Sequence, residues 1–177
     1  LDEPRSTLRA VAVLAPPHPQ LGGTLNDRVI YHATQGLTRV GCAVLRFNFR
    51  GVGTSAGSFA GGTGEQDDFR AALDVVAARY PGRPIWAAGY SFGAWVAFEA
   101  GAPDPRVAAV LAIAPPVPGY DFAATRQPNQ PILLVHGEFD ELSPLKAVQK
   151  FYGTLAEPRE LVVIDGANHV FDGHASE

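Results

Sequence analysis

The amino-acid sequence predicts an α/β fold built on a mainly parallel sheet of about six strands, with helices on both faces. Two observations carry this expectation. Short apolar runs alternate with helix-compatible stretches along the chain, and parallel neighbours need such crossovers, each a dozen or so residues long. The runs are apolar throughout rather than alternating, so both of their faces must be covered. A third observation points to the site. The polar residues gather in the segments that follow the runs, where open parallel sheets place their chemistry.

The first run is Leu8 to Ala15, ended by Pro16 and Pro17. Thr24 to Leu37 follows as a helix, with Leu25, Val29, Ile30 and Ala33 on one side. Gly41 to Phe49 is the second strand, and Gly51 to Gly64 a glycine-rich loop. Glu65 to Arg79 is the clearest helix: Phe69, Ala72, Leu73, Val76 and Ala77 recur at helical spacing, and Glu65, Asp67 and Asp68 suit its positive end. Pro84 to Ala88 is the third strand, followed by a helix from Ala94. Val107 to Ile113 and Ile132 to His136 are the fourth and fifth strands. Leu145 to Leu155 is helical, and Leu161 to Ile164 is the sixth strand. No repeat or linker divides the chain, so residues 1–177 read as a single domain.

The composition narrows the class of partner. An apolar share of 46% against 18% charged residues is that of a globular protein with a substantial core. The net charge of −4 comes without a Lys/Arg stripe, so neither nucleic acid nor an anionic membrane is an expected partner. No apolar run approaches the roughly 20 residues that cross a bilayer. Cys42 is the sole cysteine, which excludes an internal disulfide and suggests a cytoplasmic setting. The chain starts at Leu1 and contains no methionine, so residues are expected to precede it.

The chemistry centres on Gly89-Tyr90-Ser91-Phe92-Gly93. Its position between a strand and a helix is the context a nucleophile elbow requires, with the serine hydroxyl raised above the sheet edge. Glycines two positions either side remove Cβ atoms that a tight turn cannot hold. A serine hydroxyl needs a base, and His169, in Asp165-Gly166-Ala167-Asn168-His169 after the sixth strand, is the candidate. The base needs an orienting acid, and Asp140, in Gly137-Glu138-Phe139-Asp140-Glu141 after the fifth strand, is preferred over Glu138 and Glu141. For an oxyanion, the backbone N–H of Phe92 is one expected donor. Gln20, in the loop His18-Pro19-Gln20-Leu21-Gly22-Gly23, is the other, because Pro19 has no N–H.

These pieces together resemble the small α/β-hydrolases that lack a lid, near the dienelactone-hydrolase-like and carboxylesterase branches. The matching segments are His18 to Gly23, Phe47 to Ser55, Gly89 to Gly93, His136 to Asp140 and Gly166 to His169, in the order Ser91, Asp140, His169 that the family uses. The resemblance implies an α/β-hydrolase fold and hydrolysis of small carboxylic esters through an acyl-enzyme, with no cofactor. A thioesterase or amidase with the same triad, and a non-catalytic binding protein on the same fold, are the alternatives. Dienelactone hydrolases proper carry a cysteine nucleophile, whereas this elbow carries serine. Relatives usually have antiparallel strands before the first strand and a helix after the histidine loop; the segments before Leu8 and after His169 are shorter here. Ala114 to Gln130 is too short for a cap domain, which predicts an open site with Tyr120 and Phe122 as candidate wall residues.

Other features have plainer readings. His174 is the nearest competitor to His169, while His136 reads as structural, His32 as an exposed helix residue and His18 as part of the loop after the first strand. The five histidines lack ligand spacing, so no metal is expected. Gly51 to Ala56 matches a dinucleotide fingerprint, but further glycines delay the helix that such a loop must open into, so no nucleotide cofactor is expected. Arg50 is either paired with a carboxylate near that loop or an ordinary surface arginine. Cys42, Trp95 and Phe98 read as core.

Overall fold

The computed structural model describes residues 1–122 and 130–176. Its first strand shows why the apolar runs do not alternate. β1 (Ala10–Ala15) is buried along its whole length. Val11, Val13 and Ala15 face one core with Phe49, Phe69 and Phe92. Ala10, Ala12 and Leu14 face a second core with Val29, Ile30 and Leu37. A strand covered on both sides has no solvent face to make polar. β2 (Cys42–Arg46), β3 (Ile85–Tyr90), β4 (Val107–Ile113), β5 (Ile132–Gly137) and β6 (Arg159–Ile164) complete a six-stranded sheet in the order β2-β1-β3-β4-β5-β6. Every pairing between neighbours is parallel.

Helix α1 (Arg28–Arg39) covers one face through Val29, Ile30 and Leu37. On the other lie α2 (Thr63–Arg79), α3 (Phe92–Val96, continued by π-helical turns over Ala97–Gly101) and α4 (Leu145–Tyr152). The expected helix from Thr24 begins instead at Arg28. Asp27 caps it by accepting the N–H groups of Val29 and Ile30 at 2.8 and 3.4 Å. The N–H of Leu25 is given to Asn48 Oδ1 at 2.7 Å, which holds the preceding residues in a turn. Such a cap contributes about 1 kcal/mol. α2 begins at Thr63, ahead of the expected Glu65, because the Glu65 carboxylate reaches back to the Gly62 N–H at 2.7 Å.

This topology fixes where a site can form. β1 lies between β2 and β3; the crossover after β1 carries α1 on one face of the sheet, and the crossover after β3 carries α3 on the other. The loops after β1 and β3 therefore diverge at their carboxyl ends and open a crevice there. Of the segment 114–130, expected to be too short for a cap, residues 123–129 lie outside those described. No helix among the described residues is long and apolar enough to cross a membrane.

Candidate active site

Ser91 stands at the end of β3 with φ 53° and ψ −121°. This conformation costs a non-glycine residue about 1–3 kcal/mol, and surrounding contacts must enforce it. The N–H of Ser91 donates to the carbonyl of Ile113 at 2.9 Å, which ties the turn to β4. A Cβ at Gly89 would overlap the carbonyl of Gly93, and one at Gly93 would overlap the carbonyls of Ala15 and Pro16. The two glycines thus let the serine turn sit against the end of β1.

His169 is carried by the loop after β6, and three contacts fix it. Its carbonyl accepts the Tyr90 hydroxyl at 3.1 Å, and its backbone N–H donates to Glu141 Oε2 at 3.3 Å. The N–H of Phe139 donates to Ala167 O at 2.8 Å, which joins the loops after β5 and β6. Gly137 makes this approach possible, since a Cβ there would come within 2.6 Å of the Ala167 carbonyl oxygen. The ring then lies with Nε2 3.0 Å from Ser91 Oγ and Nδ1 2.7 Å from Asp140 Oδ2. The carboxylate accepts, so Nδ1 holds the hydrogen and Nε2 is left to accept the serine hydroxyl.

Asp140 is almost wholly buried, with 3% of its surface exposed. Its Oδ1 accepts the N–H groups of Leu142 and Ser143 at 2.9 and 2.7 Å. Burial pushes its carboxyl upward, but the hydrogen bonds from His169 and Ser143 outweigh it and hold the group below the usual carboxylate range. Ser143 anchors the loop a second time, its Oγ donating to Pro115 O at 2.8 Å. Its carbonyl accepts from His136 Nε2 at 2.7 Å. Burial keeps the His136 imidazole below its usual pKa, hence neutral, against the opposing pull of Ser143 and Asp140.

The alternatives weighed from the sequence separate cleanly. Glu138 accepts the Gly166 N–H at 2.9 Å and Glu141 accepts the His169 N–H, so both serve the backbone of the histidine loop. Asp140 is the acid that reaches the ring. His174 lies over Gly166, and with Leu37, Trp86, Leu111, Val135 and Phe171 it lines a cavity of about 830 Å³ beside α1. That cavity is lined by none of Ser91, Asp140 and His169. Its size does not mark the chemistry. His32 lines it too.

The expectation for Gln20 needs correction. Gln20 is exposed in a 3-10 turn over Pro19–Leu21, and its N–H is already given to His18 Nδ1 at 3.2 Å. Pro16 and Pro17 have no N–H, so His18 is the first residue after β1 with an amide to donate. Its ring lies 4.9 Å from that of Phe92, the residue after the nucleophile. Phe92 opens α3, and its own N–H has no intrahelical acceptor. Phe122, expected as a wall residue, is buried, with its ring against Phe98 and Phe151; Tyr120 remains partly open. Arg50 is ion-paired with Asp68 at 2.7 Å. Cys42 is buried and its thiol is pushed up to about 11, which removes it as a nucleophile at neutral pH.

Comparison with known proteins agrees with this fold. The family model described as serine aminopeptidase, S33, matches residues 27–122. An uncharacterized protein from Rickettsia prowazekii is 35% identical over 170 residues, which cover 91% of this chain and 71% of that protein. An α/β serine hydrolase homologue from Coxiella burnetii is 36% identical with a TM-score of 0.92, over 98% of this chain and 83% of the other. An α/β serine hydrolase without a lid from Xanthomonas campestris is 37% identical with a TM-score of 0.91, over 98% of this chain and 80% of the other.

Proposed function

The chain belongs to the α/β-hydrolase family in its small, lidless form, and from that premise we propose that it is a serine hydrolase cleaving small carboxylic esters through an acyl-enzyme. The observation that carries the reading is the unbroken run from Ser91 Oγ to His169 Nε2 at 3.0 Å and from His169 Nδ1 to Asp140 Oδ2 at 2.7 Å. In the first half-reaction Ser91 Oγ bonds to the ester carbonyl carbon as its proton passes to His169 Nε2. The carbonyl oxygen takes the negative charge and is held by the Phe92 N–H and, in place of Gln20, by the His18 N–H. The bond to the alcohol oxygen then breaks and His169 returns the proton to it. Water repeats the cycle: its proton goes to His169, its oxygen bonds to the acyl carbon, and Ser91 leaves with the proton restored. No cofactor enters these steps.

A second reading, a thioesterase or amidase with the same triad, is favoured by one observation: the matching family model describes a serine aminopeptidase. The readings separate on an ester, a thioester and an anilide that share one acyl group. Ester cleavage with kcat/KM at least about 10²-fold above the anilide is the expected result; an anilide cleaved as fast as the ester would replace the esterase reading with the amidase one. The lone buried Cys42 suits a cytoplasmic, disulfide-free setting.

A further inference from the structure

The glycine-rich stretch between β2 and α2 takes no part in the triad, but it carries Phe59. Glu65 is fully buried and accepts the N–H groups of Ala60 and Gly62 at 3.0 and 2.7 Å. At the other end Asp68 takes the backbone N–H of Arg50 at 2.9 Å as well as its guanidinium. So pinned at both ends, the stretch sets Phe59 with its ring centroid 4.9 Å from that of His18 and 6.1 Å from that of Phe92. Trp95 and Tyr120 approach Phe92 as well, at 5.6 and 5.7 Å, and lie 4.9 Å from each other. Phe92 itself is buried, whereas His18, Phe59, Trp95 and Tyr120 all keep part of their surface open. The residue next to the nucleophile is therefore ringed by four half-exposed aromatic side chains.

Two of the rings are held by hydrogen bonds, and none carries a charge. The Trp95 indole N–H donates to the Asp121 carbonyl at 2.9 Å. Its ring lies over Gly62, where a Cβ would come within 2.6 Å of it. His18 is fixed by the Gln20 N–H on its Nδ1. Burial lowers the His18 pKa, against an opposing pull from Glu65, so its ring is neutral at physiological pH. Two of the rings stand opposite the base. His169, oriented by Asp140, reaches Ser91 from the β6 and β5 side, while His18 and Phe59 come from the loops after β1 and β2, across β3; Trp95 and Tyr120 follow β3 and β4. The leaving oxygen must lie at His169 Nε2 to take its proton, so the acyl group extends away from that ring, toward the side where His18 and Phe59 stand.

We propose that these four rings form an acyl-binding site for a flat aromatic ring, so that the preferred substrates are esters of aryl-bearing carboxylic acids. This rests on the serine-hydrolase reading above. Rings held in fixed orientations favour a planar partner in offset or edge-on contact over an alkyl group of equal bulk.

The test compares methyl 3-phenylpropanoate with methyl 3-cyclohexylpropanoate, whose carbonyls are equally reactive and whose rings are of similar bulk but differ in flatness and aromatic character. Wild-type kcat/KM is expected to favour the phenyl ester by about tenfold or more. Tyr120→Leu and Phe59→Leu should bring the ratio near one, chiefly through KM, and Tyr120→Phe should keep it. Equal or better turnover of the cyclohexyl ester by the wild type, or a ratio unmoved in both leucine variants, would overturn the proposal. Binding of the 3-phenylpropanoate anion, followed by the Trp95 indole N–H resonance, keeps the two readings apart. If no ester is turned over, yet the anion shifts that signal in the wild type and not in Tyr120→Leu, the hydrolase reading fails and the ring site stands. No shift in the wild type would remove the site.

Discussion

His169→Ala is expected to lower kcat on esters by about 10⁶-fold while the protein still folds. In the proposed mechanism the imidazole is the base for Ser91 and the acid for the leaving oxygen, so its loss removes both proton transfers at once. Neither of the other histidines near the histidine loop among the described residues is placed to take over. His136 gives its Nε2 hydrogen to Ser143 and is sealed in the core, and His174 lies over Gly166 beside the α1 cavity. Loop contacts that do not involve the ring survive the change: Tyr90 still reaches the residue's carbonyl, and Glu141 still accepts its N–H. Steady-state kinetics beside a thermal melt check this. A loss of less than about tenfold would move the base to another residue.

Asp140→Asn is expected to cost about 10⁴-fold in kcat with little change in KM or fold. The carboxylate does two separable jobs. Its Oδ1 accepts the N–H groups of Leu142 and Ser143, and an asparagine carbonyl oxygen placed there would keep both. Its Oδ2 accepts the hydrogen on His169 Nδ1, and there the asparagine would present an NH₂ group instead. A donor facing Nδ1 forces the hydrogen onto Nε2, which then cannot accept from Ser91 Oγ. The loop stays folded while the imidazole is locked in the idle tautomer. Near wild-type kcat in this variant would mean that Asp140 shapes the loop and does not orient the base.

Much of this was legible in the chain because the fold concentrates chemistry at strand ends. β1 reads as apolar throughout because both of its faces are covered, and the polar loops stand out between such runs. Ser91 was legible through Gly89 and Gly93, whose missing Cβ atoms the turn demands. What the sequence did not reveal depends on contacts between distant loops. Glu138, Asp140 and Glu141 lie within four residues of one another, and only the packing of the loops after β5 and β6 shows that two of them hold backbone while one faces a ring. Gln20 is the first residue with an N–H after Pro19, but its amide is consumed by His18 within the same turn. Phe122 and Tyr120 are near neighbours in sequence, and one is buried against Phe98 while the other stacks on Trp95. The placement of the glycine-rich stretch was hidden as well, since nothing in its composition says that Phe59 meets His18.

The most direct test of the triad is covalent labelling by a fluorophosphonate, which reacts with an activated serine and spares ordinary ones. Peptide mass spectrometry of the labelled protein is expected to find the adduct on Ser91 alone, with labelling abolished in Ser91→Ala and strongly slowed in His169→Ala. An unlabelled wild type, or an adduct that persists when Ser91 is alanine, would contradict the account.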